Sequence, residues 1–302
     1  MAFGILLLDK PSGPTSHDLV MAVRRGTGER QVGHAGTLDP RATGLLVVCL
    51  GAATRLSDYL RGTDKRYRAR VRLGQSTSTY DADGEITSES GHLPERAAVE
   101  EALVKFRGPI QQQPPAFSAI KRGGKKAYEL ARAGETVELE TRPVEIHALE
   151  LLDWQPPQFT LDVLCSAGTY IRSLAHDLGQ TLGCGAHLTA LRRTASGNFQ
   201  ISEAVTLADL TQSFAIGAWK RYLRPADEAV WDWPEVGLTA EAAARIQHGQ
   251  PIPLEEHADD RARAYNPAGE FIALLRADTR AGVWRPHKVF ISPPPTPRSA
   301  QL

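Results

Sequence analysis

Residues 30–50 read RQVGHAGTLDPRATGLLVVCL, a glycine-rich loop that runs into an unbroken apolar segment. The centre, Gly33-His34-Ala35-Gly36-Thr37-Leu38-Asp39-Pro40, sets one aspartate among the glycines Gly33, Gly36 and Gly44, with a proline behind it. Pro40 biases Asp39 toward an extended backbone and keeps it out of a helix. The glycines let the backbone turn sharply and let another group come close. Leu45 to Leu50 has the pattern of a buried strand. This places Asp39 at the tip of a shaped loop docked on that strand, a common way to present a reactive group. The same residues also fit a turn-capping Asp before Pro. No Gly-Lys-Ser/Thr follows, so the loop is not a P-loop.

The other stretches weigh on that choice. Lys65 to Leu73 alternates strictly: Arg66, Arg68, Arg70 and Arg72 on one face, Tyr67, Ala69, Val71 and Leu73 on the other. It fits a half-buried strand with a solvated basic face, or a strand whose arginines meet phosphates while Tyr67 faces a site. Phe3 to Leu8 reads as a buried first strand. Thr15, Ser16 and Asp18 offer N-cap chemistry to a helix through Arg25. Gly51 to Leu60 is a short helix, and Pro94 to Phe106 an amphipathic one with Pro near its start. Phe159 to Cys165 is a strand, and Gly168-Thr169-Tyr170-Ile171-Arg172 leads into a helix over Ser173 to Leu182. If Tyr170 to Arg172 is still extended, Tyr170 and Arg172 share a face. A turn is expected at Gly183 to His187.

With 302 residues the chain suffices for one large domain and a smaller one. Hydrophobic residues at 42% supply a sizeable core and argue against disorder. The cysteines, Cys49, Cys165 and Cys184, are odd in number and scattered without C-x-x-C. That argues against a disulfide framework or a zinc site and suits a reducing cytosol. No signal pattern opens the chain, and no apolar run approaches the roughly 20 residues that span a bilayer. Formal charge is zero, 35 basic against 35 acidic residues, but it is unevenly spread. Arg61 to Arg72 holds six basic residues and one acid, and Asp81 to Glu101 seven acids and one base. A neutral total therefore hides a candidate basic groove.

Residues 111–142 read as a basic arm carrying Lys121, Arg122, Lys125 and Lys126 among glycines. It is either a mobile arm that closes on a polyanion or an ordinary solvated loop. Trp219, Trp231 and Trp233 mark a docking segment and boundary, since tryptophans need burial. Beyond it come a helix over Thr239 to Gln247, with Gly249 as its C-cap, and strands at Ala262 to Tyr265, Phe271 to Leu275 and His287 to Ile291. The domains expected are 1–233, a small β-rich module over 234–292, and a disordered tail over 293–302.

Seven pieces stand in one order: Leu7 to Pro11, Gly33 to Pro40, Ala42 to Gly44, Lys65 to Tyr67, Asp81 to Gly84, Gly168 to Arg172, and Leu182 to His187. Together they resemble the bacterial tRNA pseudouridine synthase B family, the tRNA pseudouridine-55 synthases, over residues 3 to 210. The remainder resembles that family's PUA RNA-binding domain more weakly. The resemblance implies a mixed α/β pseudouridine synthase fold, with a largely antiparallel mixed sheet and flanking helices, plus the PUA-like module. It implies cytoplasmic isomerisation of the uridine at position 55 in the T-loop of tRNA, without metal or organic cofactor. The partner expected is the tRNA T-stem-loop, with no membrane and no obligate protein partner, and the chain a monomer.

By the same resemblance Asp39 is the catalytic aspartate, Tyr67 the ring that stacks on the target base, and Arg172 the partner of the aspartate. Tyr170 lines the pocket, Leu191 is an apolar pocket residue, and His34 supports the remodelled RNA loop. Lys10 and Asp81 lie near the substrate, and Arg66, Arg68, Lys121, Lys125 and Lys126 are candidate contacts to the RNA backbone. Ala35 stands where a threonine is usual, and Ala167 where a lysine is common. The reaction breaks N1–C1′, rotates the base and joins C5 to C1′. An ionised carboxylate can attack the base, attack the sugar or assist removal of a sugar proton. Arg172 beside Asp39 is expected to hold its pKa below the ordinary carboxylate value. A non-catalytic tRNA-binding or folding protein is the first alternative. A glycosidase is the second, but it normally needs two carboxylates flanking the bond, and one stands out here.

Overall fold

The computed structural model describes residues 2–118, 121–122, 125–127, 130, 139–254 and 259–290. The tail expected over 293–302 and much of the 111–142 arm lie outside these residues. The main sheet is mixed. Its order runs Val205–Thr206, Gly4–Lys10, Thr43–Leu50, Ala186–Ser196, Lys65–Leu73, Gln158–Cys165, Arg142–Gln155, Gly108–Gln112. Neighbours are antiparallel except Val205–Thr206 with the first strand and Ala186–Ser196 with Thr43–Leu50. The latter pair lies near the centre and shares only two register positions, Arg192 with Thr43 and Arg193 with Gly44. The sheet therefore forks there, with the Asp39 loop entering one prong and Leu188 to Leu191 occupying the other.

The apolar run at Leu45 is continuous because both faces of its strand are covered. Leu45, Val47 and Cys49 join Ile5 and Leu7 in one core, while Leu46, Val48 and Leu50 join Leu6 and Leu8 in another. Each such side chain withdrawn from water contributes about 1.5–3 kcal/mol. The Ser16–Thr27 helix closes the second core with Leu19, Val20 and Val23. It begins in a capping box, Thr15 Oγ1 accepting from the Asp18 N–H at 3.1 Å and the Thr15 N–H donating to Asp18 at 2.8 Å. On the Tyr67 side of the sheet, the helices Ile171–Thr181 and Arg96–Val104 cover a third core.

Several expectations shift. Gly51 to Leu60 is two pieces, a 3₁₀ turn over Gly51–Leu56 and a helix over Ser57–Arg61. Ala186 and His187 belong to a strand rather than a turn. Trp219 and Trp233 are buried, but Trp231 is 57% exposed, so burial of all three tryptophans is not what organises that segment.

From Glu235 a second, five-stranded sheet forms in the order Glu235–Gly237, Arg261–Tyr265, Phe271–Asp278, Val283–Val289, Ile252–Pro253. The Ala240–Gln247 helix packs on it through Ala243 and Ile246. It is not a tethered appendage. Trp233, Phe271 and Leu274 share a core with Ile5, Leu7, Leu45 and Val47 of the main sheet. Phe3 stacks on Phe290 at 5.3 Å, and Arg55 donates to the Val289 carbonyl at 2.6 Å.

Candidate active site

The Asp39 loop is fixed from several directions. The Ser16 hydroxyl donates to the Leu38 carbonyl (3.0 Å) and accepts from the Leu38 N–H (2.9 Å), tying the loop to a helix N-terminus. Lys10 is completely buried, and its ammonium donates to the carbonyls of Pro11 (3.0 Å), Pro40 (2.8 Å) and Ala42 (2.7 Å). Lys10 therefore braces the loop from behind, with its donors spent. Burial lowers its pKa to about 8, and the ammonium also feels the charge of Asp39, which partly offsets that lowering. Arg193, 1% exposed, donates to the carbonyls of Leu45 (2.7 Å) and Gly36 (3.1 Å). Gly44 has φ +98°, and a β-carbon there would lie 2.2 Å from the Arg193 carbonyl oxygen, so only glycine fits the base of the fork.

Arg172 gathers the charges. It is not extended with Tyr170: the helix begins at Ile171, with Tyr170 as its uncapped N-terminal flank, so Arg172 sits in the first turn. Its guanidinium is buried, with Nε 3.1 Å from Asp39 Oδ2 and Nη1 3.4 Å from Asp81 Oδ2. The same group donates to the carbonyls of Thr79 (3.2 Å) and Phe117 (2.9 Å). Asp81 is braced in turn, Oδ1 accepting from the Thr79 hydroxyl and from the Asp83 N–H at 3.0 Å. A shallow cleft opens above, lined by residues of the Asp39 loop, by Asp81 to Asp83, by Arg172 and by Leu188 to Leu191. Arg41 and Asp83 form an ion pair between its two rims.

Asp39 keeps 49% exposure of its side chain, yet its carboxyl is pushed above the ordinary value of 3.8. Loss of water around it is the largest cause, and the charge of Asp81 adds; Arg172 and Lys10 oppose. The expected lowering by Arg172 is real, but desolvation outweighs it. The proximity of Arg172 thus limits a rise rather than producing a fall.

Tyr67 is half-buried on the strand beside Leu188 to Leu191 and in register with Arg193. Burial raises its phenol pKa, with Arg193 opposing, so the ring stays neutral. Leu191 lines the cleft, and Tyr67 is near enough to Asp39 for that charge to add to the rise of its pKa. Tyr170 stands at the helix entry, its backbone clasped by the Gln112 side chain (2.7 and 3.0 Å) and its ring 4.5 Å beneath the Arg142 guanidinium. His34 sits at the end of the Val32–His34 strand, with Nδ1 buried and unbonded; burial, then Arg193, Arg61 and His17, lower its pKa. Arg66 and Arg68 lie on the sheet face away from Tyr67, and Arg66 is held by Asp162 at 2.6 Å. As phosphate contacts they stand apart from the cleft. Lys121–Arg122 pairs with Lys125–Lys126 in a two-stranded ladder. The residues before it reach the site: besides Gln112 and Phe117, the Gln113 carbonyl accepts from the Ser173 hydroxyl at 2.7 Å. The runs of Gln and Pro there carry no signal of this role.

The chain matches three consecutive family descriptions: TruB family pseudouridylate synthase (N terminal domain) over residues 24–171, tRNA pseudouridylate synthase B C-terminal domain over 172–231, and tRNA Pseudouridine synthase II, C terminal over 233–291. It is 50% identical over 251 residues to the tRNA pseudouridine synthase B of Symbiobacterium thermophilum, covering 82% of each chain. It is 44% identical to that of Cupriavidus metallidurans over 296 residues, 95% of this chain and 93% of the relative. Among solved structures, a Cbf5-Nop10-Gar1 complex contains a chain 29% identical, with a TM-score of 0.74 over 96% of this chain and 85% of that one. Fold, cleft and relatives agree, and the chain belongs to the TruB family of pseudouridylate synthases.

Proposed function

We propose that this chain isomerises the uridine at position 55, in the T-loop of tRNA, to pseudouridine, with Asp39 as the catalytic carboxylate. The observation that carries this reading is the half-exposed Asp39 at the mouth of a cleft, joined by Arg172 to a second carboxylate. Arg172 engages Oδ2 and fixes the direction of the group. The glycosidic bond N1–C1′ breaks, the base turns in the cleft, C5 bonds to C1′, the C5 hydrogen leaves as a proton, and N1 takes up a proton in its place. Asp39 serves by attack on the base or sugar or by assisting sugar deprotonation, and each of these needs the ionised form.

The target uridine leaves its stack at a cost of a few kcal/mol. Packing of its face on Tyr67, worth roughly 1–3 kcal/mol, offsets much of that. Polyanion binding is supported at the seam between the two sheets, where Arg55, Arg276, His287 and Lys288 lie close together: after burial, Arg276, Lys288 and Arg55 lower the pKa of His287, and at Lys288 the charge of Asp58 opposes Arg55 and Arg276. Such a cluster favours phosphate. The three cysteines are free and buried, and no described helix is long and apolar enough to cross a membrane. Both suit an enzyme working on tRNA in the cytoplasm. The test is release of the uracil C5 hydrogen from an unmodified T-stem-loop transcript. Stoichiometric release is expected. Tight binding without release would leave a tRNA-binding or folding protein instead.

A further inference from the structure

Asp81 reaches Arg172 from a loop whose backbone is forced. Tyr80, just before it, has φ 64°, the one positive value at a non-glycine among the described residues. A bulky side chain persists in this region only where its surroundings impose it. The Tyr80 N–H donates to the Thr77 carbonyl at 3.2 Å, and the Tyr80 carbonyl accepts from the Leu188 N–H at 3.0 Å. The ring lies flat on the imidazole of His176, with centroids 3.8 Å apart and planes 14° from parallel. His176 is four residues beyond Arg172 on the Ile171–Thr181 helix, so the two share a face. Successive residues of one loop thus grip successive turns of one helix, Asp81 through charge and Tyr80 through its ring. The His176 Nδ1 is buried and has no hydrogen-bond partner among the described residues.

We infer that Tyr80 and His176 are positioning residues for the reaction: their stack clamps the Asp81 loop to the Arg172 helix and so fixes the chain Asp81–Arg172–Asp39. The inference rests on the catalytic reading of Asp39. Neither residue is among those that line the cleft. Their effect reaches the chemistry through the direction of the Arg172 guanidinium, which has Asp39 on one side and Asp81 on the other.

The test is C5-hydrogen release in single turnover at saturating T-stem-loop, beside a binding titration and a thermal melt. Tyr80→Asn removes the ring while keeping a residue that tolerates the left-handed backbone. It should lower the rate by about ten- to a hundredfold, because small misplacements in a reacting array have effects of that size. RNA affinity should stay within about twofold, since phosphates and base stacking supply it. His176→Ala should match that loss, while Tyr80→Phe and His176→Phe, which restore a stack, should recover most of the rate. In an Asp81→Asn background, Tyr80→Asn should cost little more, because the group it positions is gone.

A parent-like rate for Tyr80→Asn overturns the inference, as does a loss that simply multiplies that of Asp81→Asn. So does a lowered melting temperature with an unchanged rate, which would make the stack ordinary packing. If the parent releases no C5 hydrogen, or Asp39→Asn still turns over, the functional reading falls and takes the clamp with it. If Asp39→Asn is inactive while Tyr80→Asn is not, only the clamp falls.

Discussion

The Asp39 loop and the Asp81 loop each deliver a carboxylate to Arg172, and they are built differently. The first is held by buried hydrogen bonds from Lys10, Ser16 and Arg193, side chains drawn from two distant parts of the chain. The second is held at its edge by local turns, by backbone bonds to Leu188 and by the stack of Tyr80 on His176. Buried polar bonds leave expensive orphans when a partner is removed, whereas a stack is lost with few unsatisfied groups. The first loop is thus part of the core, and the second is an attachment to it. Disturbing the first should change folding and chemistry together, and disturbing the second mainly chemistry.

The most severe break removes the carboxylate while leaving its loop intact. Asp39→Asn should abolish product formation, to below about one part in a thousand of the parent single-turnover rate, with tRNA binding spared. Asp83→Asn, on the other loop, should be far milder. The stability of Asp39→Asn sharpens the contrast. Because the folded-state pKa of Asp39 is raised, the folded chain holds this proton more tightly than the unfolded chain does. The stability contributed by the group therefore falls as pH rises from the unfolded value through the folded one. At neutral pH the charge costs stability, and Asp39→Asn should melt no lower than the parent. A clear drop in melting temperature would contradict that account.

Lys10→Met comes next. It preserves bulk but strips three carbonyls of their donor, and should destabilise the fold by about 1–3 kcal/mol while slowing turnover. Tm and rate should fall together here, which Tyr80→Asn should not reproduce. A pH profile gives a smaller effect. The acid limb of the single-turnover rate should lie above the ordinary aspartate value of 3.8, and Asp81→Asn should move it lower, since the Asp81 charge is one of the causes of the rise. The smallest effect lies far from both loops. Replacing Lys121, Lys125 and Lys126 by Ala should reduce the salt slope of tRNA binding by roughly one unit for each phosphate no longer neutralised. An unchanged slope would make those lysines solvated surface.

The same contrast explains what the amino-acid sequence discloses. The strand behind Asp39 stands out because an unbroken apolar run leaves few local alternatives, and the alternation around Tyr67 predicts its strand directly; Asp39 itself also fits a turn cap, and only the other motifs single it out. Arg172 beside Asp39 follows from the resemblance of short motifs. The entry of its helix does not: Tyr170 makes no side-chain cap, so the usual Ser, Thr, Asp or Asn signal is missing, and the clasp comes from Gln112, 58 residues away. Lys10 is visible as a neighbour of the site, but not the side from which it approaches, which is set by three backbone carbonyls. The direction of the Asp39 pKa escapes a partner-by-partner count because water lost to the surrounding protein has no sequence pattern. The stack of Tyr80 on His176 joins two residues 96 positions apart, and neither lies in a telling local context.

The seam between the two sheets has a mechanical consequence. Trp233, Phe271 and Leu274 are built into the core that also holds Ile5 and Val47, so swinging the C-terminal module away would expose that core to water. The shared core thus resists any change in the separation between the basic edge at Arg276, His287 and Lys288 and the cleft at Asp39. Two grips at a resisted spacing act as a gauge. If the edge and the cleft both hold RNA, as proposed above, a stem of the right length would engage both at once and gain the affinity of a two-point attachment, and a stem of another length would engage one and forfeit the other. Selection of an RNA can then be made by its dimensions before any base enters the cleft.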